Sequence, residues 1–270
     1  MTIVAYIMAT LLVLSFLAGI IIPSYQISRA LFRFFLGDYY NLNWLRKELE
    51  PGYRAPLARH FRFYRQLSPR AKKSFERRVQ KFIDQKDFSP KGGLPDVTDE
   101  MKALIAASAI QITFGLPSIY LQHFRQIYVF PESYYSSHTR QYHQGEVNSK
   151  GIIVLSWSNF VKGYIDDTNG INLGLHEMAH ALRVEDIIEN DEYNFFDRRD
   201  LLAFIKHTRT EAHRMVNGEP SFFRDYAATN DHEFFAVVIE NFFERPGPFR
   251  QTHPELYRLT VRLLNQDPLR

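Results

Sequence analysis

The chain has no cysteine. That excludes disulfides, thiolate zinc ligands and a cysteine nucleophile, so any metal must be held by nitrogen and oxygen. It fits a reducing compartment without requiring one. A strong charge of one sign is also missing. The 33 Lys and Arg against 30 Asp and Glu leave a net +3, too little to argue for nucleic acid as a partner. There is no internal repeat and no low-complexity segment, which leaves an ordinary folded chain. Regular βαβ alternation is absent too. Strand-like segments come early and helical ones late, so the fold class reads as α+β, mostly helical with a small sheet.

One long apolar run is present. Ile3 to Ile22 is 20 residues without a charge. As an α-helix it would span roughly 30 Å, the thickness of a bilayer core. Pro23 ends it. No Lys or Arg precedes the run, whereas Arg29, Arg33, Arg46, Lys47, Arg54 and Arg59 follow it. This pattern argues against a cleaved signal peptide and places the N-terminus outside. The expectation is an N-terminal transmembrane helix (residues 1–25) contacting the lipid bilayer through residues 3–22. The protein would then be a single-pass protein of the inner (cytoplasmic) membrane, its main domain in the cytoplasm. Residues 26–67 read as juxtamembrane and connecting helices. Within them "QISRALFRFF" suits either an interfacial helix or the first core helix.

Helices are expected over 68–85, behind Ser68 and Pro69, and from Thr98 to about Thr113, with Asp99 and Glu100 in the first turn. "SPKGGLPD" reads as a loop, and "RQIYVFP" and "GIIVLSW" as strands. "YYSSHTRQYHQGEVNSK" reads as polar and irregular. Further helices are expected at about 195–215, 231–244 and 253–265.

The stretch "NLGLHEMAHAL" carries the chemistry. On a helix, His176 and His180 lie one turn apart on one face and can point two imidazoles at one ion. Glu177, turned about 100° away, can reach a metal-bound water without ligating. Ile171, Leu175, Met178 and Leu182 form an apolar stripe beside them, and Asn172 or Asn169 can cap the start. The competing reading is a helix with two incidental histidines. Zinc wants a third protein ligand. Asp186 is one candidate by position, but zincins with a ligand at that distance turn the chain with a glycine, and Arg183 stands there instead. On a helix from 231, Glu233, Glu240 and Glu244 share one face. Phe235, Val238, Ile239, Phe242 and Phe243 share the other. Helical geometry does not choose among the three glutamates, and a solvated acidic stripe opposite a core stripe would look the same. As acceptors for the second N–H of a ligating histidine, Glu240 and Asp225 are candidates.

"TDEMKALIAASAIQITFGL", "VLSW", "HEMAH" and "YAATNDHEFFAVVIENFFERP…HPELYRLTVRLLNQDP" together resemble the Mlc titration factor A family of zinc-dependent peptidases, in order from about residue 68 to 268. The resemblance implies a zincin-like zinc peptidase domain over 68–270, with one Zn2+ per chain and a peptide or protein substrate. It implies that His176, His180 and Glu233 are the metal ligands. Glu177 would be the catalytic base, and Tyr226 would stand where a tyrosine stabilises the transition state. The Tyr226-to-Glu233 spacing is also similar to that in the catalytic domain of anthrax lethal factor. The implied activity is peptide hydrolysis, as aminopeptidase or endopeptidase, with zinc lowering the pKa of its bound water toward 7. The family's namesake binds a repressor. The resemblance therefore also implies an alternative: a regulatory protein that sequesters a transcriptional regulator, with or without peptidase activity. After the second histidine the chain departs from the family, in "ALRVEDIIENDEYNFFD", a segment expected to border the cleft. "GIIVLSW" is the strand expected to hold substrate backbone, or else a plain core strand.

Overall fold

A computed structural model describes residues 47–136 and 140–270, of which Glu48–Arg270 form one compact unit. It begins with two short helices, α1 (Pro51–His60) and α2 (Arg62–Gln66). Leu57 of α1 and Phe61, which joins the two, are buried in the same core as the later helices. Next come α3 (Pro69–Gln85) and α4 (Asp99–Thr113). Both start as the sequence dictates: Ser68 accepts from Ala71 N and Thr98 from Met101 N. α4 is buried on nearly every side from Ala103 to Thr113. Its C-terminal carbonyls are closed by a side chain from α3. Arg78 donates to the carbonyls of Thr113 (2.8 Å), Phe114 (2.9 Å), Leu116 (3.2 Å) and Ile119 (3.3 Å). A guanidinium suits that place because the carbonyls at a helix end are unpaired and carry the negative end of the dipole.

A four-stranded sheet runs in the order β1 (Asp87–Pro90), β2 (Gln126–Phe130), β6 (Ile152–Ser156), β5 (Gly145–Asn148). β1, β2 and β6 are parallel, and β5 pairs antiparallel with β6 and forms an edge. β6 is buried from Ile153 to Ser156 and reads as a continuous apolar run, as a strand covered on both faces should. Its two neighbours are β2 and β5, so it has no open edge. The strand next to the cleft with a free side is β5, inside the segment read as irregular. The same segment holds the hairpin of β3 (Tyr134–Ser136) and β4 (Gln141–His143).

The second half is helical: α5 (Trp157–Ile165), α6 (Leu173–Ile187), α7 (Arg198–Val216), a 3-10 turn (Asp225–Thr229), α8 (Asp231–Glu244), α9 (Pro246–Thr252) and α10 (Pro254–Leu264). α6 packs on α8, α4, β5 and β6, so it stands between the sheet and the C-terminal helices. The α+β class, mostly helical with a small sheet, is what the structure has.

One expectation is corrected. No helix among the described residues is long and apolar enough to cross a membrane, so single-pass placement in the inner membrane, with a catalytic domain in the cytoplasm, is not supported. Residues 3–22, expected above to span the bilayer, and the stretch "QISRALFRFF" lie outside the described residues.

Candidate metal centre

Asn172 sets the start of α6. Its Oδ1 accepts from Leu175 N (3.0 Å), while its Nδ2 donates to Gly163 O (3.0 Å) and Glu244 Oε1 (3.0 Å). Its own N–H donates to Glu240 Oε2 at 2.7 Å. The helix is thus fixed to α8 at its first turn. Leu175, Met178 and Leu182 are buried as the stripe requires, whereas Ile171, which precedes the cap, is exposed. α8 is started by Asn230, whose Oδ1 accepts from His232 N (2.9 Å) and Glu233 N (3.0 Å). This puts Glu233 in the first turn of α8.

The two helices bring three donors together. His176 Nε2 lies 3.1 Å from His180 Nε2, and Glu233 Oε2 lies 3.0 and 3.3 Å from those two nitrogens. Among the described residues this is the group of three His, Asp or Glu that could hold a metal ion. Glu233 Oε2 is buried and has no hydrogen-bond partner of proper geometry. An orphaned carboxylate oxygen normally costs a few kcal/mol, so its presence needs an account. A tetrahedral zinc with ligands at about 2.0–2.1 Å separates neighbouring ligand atoms by about 3.3 Å. The triangle seen here has edges close to that, and its all-nitrogen-and-oxygen donor set suits zinc.

Burial alone would push Glu233 up, but the two imidazoles beside it hold it well below the usual carboxylate range. Burial alone would lower His176, yet Glu233 and Glu240 raise it to about 10. Glu240 is fully buried, and its Oε1 accepts from His176 Nδ1 at 2.6 Å. With Nδ1 donating to Glu240, Nε2 is the nitrogen that faces the centre, where a bound metal would take the place of its proton. Asp225, the other acceptor considered, is exposed. Glu240 is itself held by Arg224, with Nη1 at 2.9 Å and Nη2 at 2.8 Å. Burial works against the Glu240 charge; His176 and Arg224 overcome it and lower its pKa.

Glu177 sits beside the triangle, 5% exposed. Desolvation raises it to about 8; His176 pulls it down and Glu233 and Glu240 push it further up. Tyr226, on the 3-10 turn, is half exposed, with its ring 5.9 Å from that of His176. Burial and the nearby Glu233 carboxylate push its hydroxyl to about 12, so it stays a donor. His176, Glu177, Tyr226 and Glu240 line one cavity of about 740 Å³. Asp186 is elsewhere engaged: its Oδ1 accepts from Phe196 N at 3.0 Å and it pairs with Arg183.

Sequence reasoning missed two residues here. Arg224 had no motif to mark it, although it stands two residues before Tyr226. Gly145 lies on β5, where a Cβ would come within 2.4 Å of Glu177 Oε1. Its lack of a side chain lets the edge strand run against the carboxyl group.

A family profile described as glucose-regulated metallo-peptidase M90 matches residues 40–263. An uncharacterised protein of Synechocystis sp. is 29% identical over 251 residues, 84% of this chain and 90% of that protein. Mlc titration factor A of Pectobacterium atrosepticum is 27% identical over 213 residues, 71% of this chain and 77% of its own. Mlc titration factor A of Yersinia pestis is 28% identical over 208 residues, 71% of this chain and 76% of its own. The chain belongs to the glucose-regulated metallo-peptidase M90 family.

Proposed function

We propose that this chain is a zinc-dependent peptidase with a zincin-like core, acting on peptides as an aminopeptidase or endopeptidase. The observation that carries the reading is the triangle of His176, His180 and Glu233 with an orphaned carboxylate oxygen, beside a buried Glu177. Zinc, when held by these three residues, would supply Lewis acidity toward water and the scissile carbonyl. Glu240 and Arg224 keep His176 in the tautomer that ligates. Glu177 takes the proton of the attacking water and returns it to the leaving amine. Tyr226 donates a hydrogen bond to the oxygen on which charge develops, an effect on the order of 3 kcal/mol. The open side of β5 holds the substrate backbone by adding a strand.

The test is metal analysis of the parent and Glu233→Ala, followed by activity on short chromogenic peptides. The reading expects one zinc per chain in the parent and at least tenfold weaker binding in the variant. Glu177→Gln should keep its zinc and lose activity by two orders of magnitude or more. Equal zinc affinity in parent and Glu233→Ala refutes the ligand set.

A second reading is favoured by the relatives named Mlc titration factor A. The chain would then bind a transcriptional regulator. Capture of such a regulator by the Glu177→Gln protein, with affinity unchanged, would separate binding from catalysis.

A further inference from the structure

The mechanism leaves one charge in the cleft unused. Lys162, in the last turn of α5, is exposed and lines the same cavity as His176, Glu177 and Tyr226. Its Nζ donates to Asn159 Oδ1 at 3.1 Å, and among the described residues no carboxylate pairs with it. Asn159 is not free to turn. Its Nδ2 donates to Ser156 Oγ (2.8 Å) and Ser133 Oγ (3.0 Å), so both amide hydrogens are used. The carbonyl end must therefore face Lys162. The other charges lining the cavity are committed. Arg224 and Glu240 neutralise each other, His176 is bonded to Glu240, and Glu177 serves as base. A lysine in the last turn of a helix also suits the helix dipole. That role does not call for an amide locked by two hydroxyls, nor for a place on the cavity wall.

We propose that Lys162, oriented by Asn159, recognises a carboxylate of the substrate near the bond that is cut. The carboxylate is an acidic side chain or the free C-terminus of the peptide. This inference rests on the peptidase reading above, whose finer form leaves the substrate open. It narrows the substrate class to peptides that carry a negative charge within a few residues of the scissile bond. Lys162 is exposed, so lost hydration offsets part of the pairing, and the cavity walls shield the pair only in part. The expected discrimination is about fivefold at low salt, the upper end for an exposed pair.

The test uses the full chain carrying Glu177→Gln, loaded with zinc, so that peptides bind without turnover. One labelled sequence is made in three forms: with an acidic residue and an amidated C-terminus, neutral with a free C-terminus, and neutral with an amidated C-terminus. Affinities are read by fluorescence anisotropy. At least one carboxylate form should bind about fivefold tighter than the fully neutral form, and which one does so identifies the source. That ratio should fall to about one with Lys162→Met added and drop below one with Lys162→Glu. Equal affinities, no binding of any form, or a preference that survives Lys162→Met overturns the proposal. Turnover by the zinc-loaded parent is scored separately. A parent that cuts none of the peptides yet shows the Lys162-dependent preference refutes the peptidase reading and leaves the carboxylate site standing.

Discussion

On the peptidase reading, Gly145→Ala should abolish peptide hydrolysis while leaving zinc binding by His176, His180 and Glu233 unchanged. A Cβ on residue 145 would lie 2.4 Å from Glu177 Oε1, 2.6 Å from its Cδ and 2.7 Å from its Cγ. Non-bonded contacts of this kind settle near 3.4–4.0 Å, so about 1 Å must be found. It cannot come from the tip of Glu177 swinging into solvent. Three atoms of the side chain are crowded at once, and the residue is buried against α4, α8 and the sheet through its helix. Either β5 lifts from α6 or the carboxyl group leaves its place beside the triangle. A misplacement of that size costs on the order of 10²-fold in rate. The strain itself destabilises by about 1–3 kcal/mol, as overpacking does. The three metal donors sit on α6 and α8, neither of which needs to move. The assay is kcat/KM on a chromogenic peptide together with zinc content and thermal melting. Gly247→Ala is the control, because a Cβ there meets nothing within 4 Å. If Gly145→Ala keeps kcat/KM within twofold of the parent, the contact of β5 with Glu177 does not position the base.

Three further outcomes are expected. Glu240→Gln, or Arg224→Met behind it, loosens the hold on His176 Nδ1 and should weaken zinc binding about 10- to 100-fold by calorimetry, with His176, His180 and Glu233 all intact. Arg78→Met removes a donor from four carbonyls at and just past the end of α4, leaving those of Phe114 and Ile119 with none, in a site where Arg78 is 4% exposed. A loss of roughly 3–5 kcal/mol is expected in urea unfolding, and less than 1 kcal/mol would show that water replaces it easily. Glu192 is buried, and burial raises it from 4.5 to about 7, with Glu185 pushing the same way and Tyr120 N–H, Gln122 N–H and Lys86 opposing. The folded chain holds that proton more tightly than the unfolded chain. The stability it contributes is therefore complete below pH 4.5 and lost as the pH rises through 7. The loss is on the order of 1–3 kcal/mol, and Glu192→Gln should flatten the stability-versus-pH curve over that window.

Elements governed by local chemistry were legible from the chain alone. The helices that begin at Pro69, Asp99 and Asp231 start where Ser68, Thr98 and Asn230 cap them. β6 was legible because its apolar run is short, rich in β-branched Ile152, Ile153 and Val154, and opens behind Gly151. Segments set by tertiary partners were not. β3, β4 and β5 are polar and half exposed, and β5 is a strand only because β6 offers it an edge. Its neighbour β6 accordingly lost the substrate-holding role that its sequence suggested. β1 contains Pro90 and lies at the other edge, where a missing N–H is tolerated. α5 and α9 are short and carry no capping side chain, and the proline that opens α9 was a weak signal on its own.

The acidic face of α8 shows why the site was only half legible. Glu233, Glu240 and Glu244 recur at helical spacing, a pattern that ordinarily means a solvated surface. In the fold Glu240 is fully buried and Glu244 is 8% exposed. Buried carboxylates persist only when partnered, and none of the partners is adjacent in sequence. Glu240 is answered by His176, by Arg224 and by the N–H of Asn172. Glu244 is answered by Asn172 Nδ2 and by the N–H of Gly170. The same asparagine that caps α6 thus ties two of the three glutamates to it. The third, Glu233, stands one turn from the start of α8 and keeps an oxygen without a partner. Periodicity could say that three carboxylates share a face. Only the packing of α6 against α8 distinguishes two that hold the helices together from one left facing the histidines.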